Sequence, residues 1–219
     1  MEHAIELTAA DGHHLSAYLA EPAAKARGGI VVIQEIFGVT RHIRAVADQY
    51  AAAGYVAVAP ALYDRVERNV DVPYTDSSKG LGYMKAIPIE KVLLDVDAAV
   101  ARARAAGKVG VVGFCWGGLV TYLAAGRPAV DAAVAYYGGG IADHLAARPE
   151  APMMFHFGEQ DTHIPLSAVE KIKAAYRQGV YHLYPAQHGF NCTDRASFEP
   201  QSAKLAFDRS IEFFNQHVG

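Results

Sequence analysis

The sequence predicts a mostly parallel, doubly wound α/β sheet with helices on both faces and an antiparallel N-terminal edge. Three observations carry that expectation. Continuous apolar runs such as Gly29–Gln34 and Lys108–Gly113 recur along the chain, stretches of helical periodicity separate them, and alternating hydropathy is strongest in the first twenty residues. A strand covered on both faces needs apolar residues at every position, whereas a strand with one wet face alternates. Strands that alternate with helices imply parallel crossovers within one sheet. With 219 residues, 52% hydrophobic and only 20% charged, one domain over 1–219 with a large core is expected, rather than two small domains or a disordered chain.

Each element follows in order. Ala4–Thr8 alternates, Asp11-Gly12 offers a turn and Leu15–Leu19 alternates again, the pattern of a hairpin. After Gly29–Gln34, the spacing of Ile43, Val46, Ala47 and Tyr50 predicts a helix over Thr40–Ala53, with Gly54 as its stop. Tyr55–Ala59 reads as a second buried strand ended by Pro60, and Ile89–Ala106 as a helix with Val92, Val96 and Ala99 on one face. Strand Lys108–Gly113 precedes a helix over Trp116–Ala125, and Val130–Tyr136, Pro152–Phe157 and Val180–Tyr184 complete the strands. Pro165–Gln178 and Gln201–Val218 supply the last helices. Ala61–Pro88 breaks the rhythm: it is polar, carries Tyr63, Tyr74 and Tyr83, and shows little periodicity. A stretch of that length reads either as a lid or binding loop or as a plain connector.

Bulk properties narrow the partners. A formal net charge of −3 without a basic stripe argues against nucleic acid and against an anionic membrane surface. Met1–Leu7 alternates, without the basic start and apolar run of a secretory signal. No stretch reaches the roughly 18 apolar residues of a membrane helix. Two cysteines, Cys115 and Cys192, make no disulfide framework. A cytoplasmic protein acting on a small molecule, as monomer or homodimer, is expected.

The chemistry begins at Gly113-Phe114-Cys115-Trp116-Gly117-Gly118, set between a Val-rich strand and an apolar helix. That is the context of a nucleophile elbow, a G-x-Nu-x-G strand-to-helix turn that lifts one side chain at a helix N-terminus. The alternative is a buried structural cysteine. An α/β-hydrolase fold then requires an acid and a histidine, in that order, in loops after later strands. Asp161 follows the Pro152–Phe157 strand, and His188 follows Val180–Tyr184. In such a triad His188 takes the Cys115 proton and Asp161 fixes the imidazole. Asp161 also fits a helix cap before Pro165, and His188 is one of ten histidines. Order and loop placement together favour the triad. His163 reads as a helix-entry residue, His156 as a core histidine, and no His/Cys/Asp spacing suggests a metal site. The loop after the first parallel strand, Gln34-Glu35-Ile36-Phe37-Gly38, would supply one oxyanion-hole N–H from Ile36, and Trp116 the other. Glu35 ends an apolar run. It would pair with Arg41 or Arg44, cap the next helix, or stand near Cys115 and tune its proton.

Taken together, Gln34-Glu35-Ile36-Phe37-Gly38, the cysteine elbow and Gln187-His188-Gly189-Phe190 resemble the dienelactone hydrolase family over nearly the whole chain, as does Tyr136-Tyr137-Gly138. The resemblance implies a carboxymethylenebutenolidase-type reaction: Cys115 attacks a lactone carbonyl, forms an acyl-enzyme and releases a ring-opened acid, with Glu35 sharing in thiol activation and no cofactor. Well-studied members hold the substrate carboxylate with two arginines, one in the lid region and one four residues after the catalytic histidine. Here that second position is Cys192, and Arg65, Arg68 and Lys79 give no secure match to the first. Arg195 is the nearest substitute. A wider or less acidic lactone or ester is therefore expected, with Phe37 and Tyr137 lining its pocket. Two other readings stand beside this one: a broad carboxylesterase for activated or aryl esters, and a redox-sensing protein that pairs Cys115 with Cys192.

Overall fold

The computed structural model describes residues 3–219, so the first two positions of the alternating N-terminus lie outside the described residues. One eight-stranded sheet organises the chain. Its strands are β1 (Ala4–Thr8), β2 (His14–Ala20), β3 (Gly29–Ile33), β4 (Val56–Pro60), β5 (Val109–Phe114), β6 (Ala132–Tyr136), β7 (Met153–Gly158) and β8 (Val180–Tyr184). They lie in the order β1-β2-β4-β3-β5-β6-β7-β8. The β1–β2 and β2–β4 pairs are antiparallel and the others parallel. The predicted architecture, an α/β-hydrolase fold, is the observed one.

β3 to β7 are buried at every residue, as strands covered on both faces must be. Helices α1 (Arg41–Ala52) and α6 (Pro200–His217) share one face, where Tyr50 packs on Phe207 and Phe214. α3 (Ile89–Ala103), α4 (Trp116–Ala124) and α5 (Leu166–Ala175) cover the other, with Tyr122 and Tyr176 both against Phe155. His156 sits in this core as expected, bonded to the Tyr184 hydroxyl at 2.8 Å and to Ser210 Oγ at 3.0 Å. The helix expected over Ile89–Ala106 ends its α form at Ala103, and Arg104–Ala106 continues as a 3₁₀ turn.

The main departure lies in Ala61–Pro88. The stretch contains a 3₁₀ turn, Leu62–Arg65, and a helix, α2 (Ser77–Ala86). Asp76 starts α2, its carboxylate accepting the Lys79 N–H at 3.1 Å. Periodicity missed the helix because two glycines, Gly80 and Gly82, interrupt it and only Gly80 and Tyr83 are buried, too few for an apolar stripe. The segment is fastened to the loop after β3: the Val72 N–H donates to the Phe37 carbonyl at 2.9 Å, and Asp71 bridges Gly38. It is thus a built wall rather than a bare connector.

Candidate active site

β5 stops at Phe114 and α4 starts at Trp116, leaving a single residue for the turn. Cys115 takes φ +57° and ψ −118°, a region costly for any side chain and kept only where the surroundings enforce it. The enforcement is visible. Its N–H donates to the Tyr136 carbonyl at 3.0 Å and its carbonyl accepts the Gly118 N–H at 2.9 Å. A Cβ on Gly113 would stand 2.0 Å from the Gly117 carbonyl oxygen, and one on Gly117 would stand 2.4 Å from that of Gln34. Only glycines let strand, turn and helix close this tightly around the thiol.

The carboxyl ends of β7 and β8 bring two more groups to the same edge. His188 Nε2 lies 3.1 Å from Cys115 Sγ, and its Nδ1 lies 2.8 Å from Asp161 Oδ2. Asp161 uses its other oxygen, Oδ1, to accept the backbone N–H groups of His163 (2.8 Å) and Ile164 (3.1 Å). The two sequence readings of this residue, local turn cap and histidine partner, are therefore both present, one oxygen to each. Burial alone would lower the pKa of His188, but its bonds to Asp161 and Cys115 outweigh that and raise it to about 10. Burial likewise pushes Asp161 up, and the bonds from His188, His163 and Ile164 reverse it, so the carboxylate stays ionised below its ordinary range. The ring of Tyr137 supports His188 from behind at 5.1 Å. Tyr137 itself is fully buried and does not line the cavity, which corrects its expected role at the substrate. It is enclosed by Phe114, Phe190 and His188.

The backbone N–H groups of Ile36 and Trp116 have no acceptor among the described residues. What fixes Ile36 from its carbonyl side is a residue that sequence reasoning passed over. The Tyr63 hydroxyl donates to the Ile36 carbonyl at 3.0 Å, while its ring stacks between Trp116 (5.7 Å) and Tyr83 (5.2 Å). α2 then presses on the same carbonyl: a Cβ on Gly80 would stand 2.3 Å from the Ile36 oxygen. The glycine that hid the helix is the one that lets it dock.

Glu35 is 1% exposed. Neither sequence-expected partner is used: Arg41 pairs with Asp194 and Arg44 with Asp71. Glu35 instead meets Arg195, with Nη1 3.5 Å from Oε1, while Oε2 has no partner. Burial raises its pKa, opposed by the charges of Arg195 and His188. Its carboxylate is thus held on Arg195 and not on Cys115. Both cysteines are free. The Cys192 thiol is pushed up to about 12, first by burial and then by the Glu35 charge, which makes it a poor redox partner.

These groups open into a cavity of about 510 Å³, a size suited to a small organic ligand. Cys115 and His188 form its floor, Phe37 and Arg195 one side, and Leu81 and Met84 of α2 the facing side. His163 also reaches it, its ring 4.8 Å from that of His188. Metal-binding atoms of Asp161, His163 and His188 fall within 4.8 Å of one another, a clustering their sequence spacing did not suggest. Asp161 and His188 are already bonded to each other, which suits a proton-handling pair better than a cation site.

Residues 15–218 match the dienelactone hydrolase family. The chain belongs to that family. It is 36% identical over 227 residues to a candidate carboxymethylenebutenolidase of Synechocystis sp., covering 93% of this chain and 92% of the relative. Among solved structures, a candidate dienelactone hydrolase from Klebsiella pneumoniae superposes with a TM-score of 0.83 at 33% identity, covering 98% and 99% of the two chains. An esterase of Pyrococcus furiosus shares the fold at a TM-score of 0.73 and 17% identity, covering 99% of this chain and 91% of its own. As a dienelactone hydrolase family member the protein is a hydrolase of carboxylic esters or lactones, and its substrate is a small molecule. No helix among the described residues is long and apolar enough to cross a membrane.

Proposed function

We propose that this family member cleaves a lactone or ester by nucleophilic catalysis at Cys115, with His188 as base and acid and Asp161 as its orienting carboxylate. The observation that carries the reading is the line Cys115 Sγ–His188 Nε2–Asp161, at 3.1 and 2.8 Å, on the floor of a ligand-sized cavity. His188 takes the thiol proton, and Cys115 Sγ bonds to the carbonyl carbon. The carbonyl oxygen, now negative, is held by the N–H groups of Ile36 and Trp116. As the C–O bond breaks, His188 Nε2 returns the proton to the leaving oxygen, which stays attached in a lactone and departs in an ester. Water then attacks the thioester, again losing a proton to His188, and Cys115 leaves with the acid free.

Asp161 keeps the Nδ1 proton in place and balances the imidazolium, while Glu35 acts at a distance by adding negative charge near His188 and holding Arg195. The chemistry requires no cofactor or metal. Cytoplasmic residence and a monomeric or homodimeric state belong to the same proposal. The test compares wild type with Cys115→Ala on a neutral aryl ester and a dienelactone. Loss of turnover with an unchanged fold supports the assignment, and full activity in Cys115→Ala rejects it.

A further inference from the structure

Two imidazoles that the Cys115 mechanism leaves unused border the cavity, His144 in the loop after β6 and His163 in the loop after β7. His144 is spent locally, its Nδ1 donating to the Gly140 carbonyl at 2.9 Å. His163 differs in two respects. Its backbone is fixed by the triad itself: its N–H donates to Asp161 Oδ1 at 2.8 Å, and the N–H of Ile164 donates to the same oxygen at 3.1 Å. Its ring, by contrast, is left open. With that oxygen taken up by two N–H groups, His163 Nδ1 stands 3.8 Å from it, and the side chain is 68% exposed. The ring lies 4.8 Å from that of His188, tilted by 41°. One carboxylate thus aims His188 with one oxygen and sets His163 beside it with the other.

We propose that His163 is a specificity-determining residue for the leaving group: its imidazole N–H donates to a hydrogen-bond acceptor, such as a carbonyl oxygen, on the alcohol part of an aryl or enol ester. The inference rests on the Cys115 mechanism above. There the leaving oxygen takes its proton from His188 Nε2, so it must come within hydrogen-bond distance of that atom. Atoms a few bonds beyond it then pass the neighbouring ring of His163. An imidazole carries at least one N–H whichever nitrogen holds the proton. The α2 wall, which presents Leu81 and Met84 to the cavity, offers no such donor. His163 is no second base, because the thiol is bonded to His188 Nε2 at 3.1 Å. In an ester the alcohol part departs with acylation, so the contact acts on that step. In a lactone it falls on the ring-opened end, which stays attached to the acyl-enzyme.

The test uses two neutral acetate esters whose phenols are closely similar in acidity: 3-acetylphenyl acetate, which carries a carbonyl acceptor, and 3-chlorophenyl acetate, which lacks one. The kcat/KM, which reports acylation, is expected to favour the acetylphenyl ester by roughly fivefold, the worth of one net hydrogen bond. His163→Phe keeps a flat ring and removes the N–H, so the two esters should reach parity. His163→Gln returns a donor and should recover part of the preference. In acid-quenched samples His163→Phe should slow acylation by the acetylphenyl ester more than it slows decay of acetyl-Cys115. Parity in the wild type, a preference that His163→Phe leaves unmoved or that His163→Gln fails to raise above parity, or an equal slowing of acylation and decay overturns the inference while leaving the mechanism intact. Failure to hydrolyse either ester, or hydrolysis that survives Cys115→Ala, overturns the mechanism and this inference with it.

Discussion

The floor of the cavity and the α2 wall that faces it are built on different principles. At the floor, Cys115, Asp161 and His188 come from three short loops at the carboxyl edge of the sheet. Cys115 and Asp161 are bonded through their backbones to β6 and β7, strands buried at every residue, and His188 is held by those two side chains. The α2 wall has two buried residues, Gly80 and Tyr83, which dock on the loop after β3 at Ile36 and on Tyr63. Chemistry that needs sub-ångström placement is thus assigned to the rigid edge, and ligand fit to an element that can change at little cost to the core. Tyr63 joins the two, with its hydroxyl on the oxyanion loop and its ring between Trp116 and Tyr83.

Substitutions that separate floor from wall should follow that division. Asp161→Asn is expected to lower kcat/KM by roughly 10² to 10⁴-fold, because His188 loses the acceptor that fixes its tautomer. Retention of more than a tenth of the activity would show that the line of three is not a working unit. Gly80→Ala should cost at least about tenfold in kcat although it lies in the wall, since its Cβ would meet the Ile36 carbonyl at 2.3 Å and shift Ile36, whose N–H sits one peptide earlier. A change confined to KM would place Gly80 with ligand fit alone. Tyr63→Phe removes one buried hydrogen bond and is expected to lower kcat about tenfold with KM nearly constant. Equal changes in kcat and KM for esters of different size would make Tyr63 a packing residue instead.

Titration gives a further contrast, between the site and the core. His188 is raised to about 10 by its partners, so its charged form contributes stability that is full below the ordinary histidine value and lost as pH rises through about 10. His42, on the buried face of α1 with Nε2 unpartnered, is lowered to about 4 by burial. Its contribution is present above the ordinary value and is lost as pH falls from there through about 4, a destabilisation of about 3 kcal/mol at the acid end. Thermal melts should therefore show an acid limb that His42→Phe reduces, while the alkaline limb remains. An acid limb unaffected by that substitution would assign it to other groups, with His156, also held neutral by burial, the first to examine.

The same division explains what the sequence disclosed. The strands were legible because burial on both faces demands unbroken apolar runs, and Cys115, Asp161 and His188 were legible because the fold admits them only in certain loops and one order. Glu35 was conspicuous as a carboxylate closing the Gly29–Gln34 run, yet its partner was not. Arg195 lies 160 residues away, and nothing local distinguishes it from Arg41 or Arg44. α2 was illegible because its stability comes from Asp76 and from contact with the oxyanion loop rather than from a periodic face. Tyr137 was misplaced for a related reason: its position at a strand end is visible in sequence, but the direction of its ring, into Phe114 and Phe190, is not.

The most direct test of the account is intact-mass and peptide mapping of enzyme acid-quenched during turnover of a slowly deacylated aryl ester. The account predicts one added acyl group, on Cys115, that forms and decays at rates matching turnover. Acylation of any other residue, or steady turnover by a protein whose Cys115 has been alkylated beforehand, would contradict it.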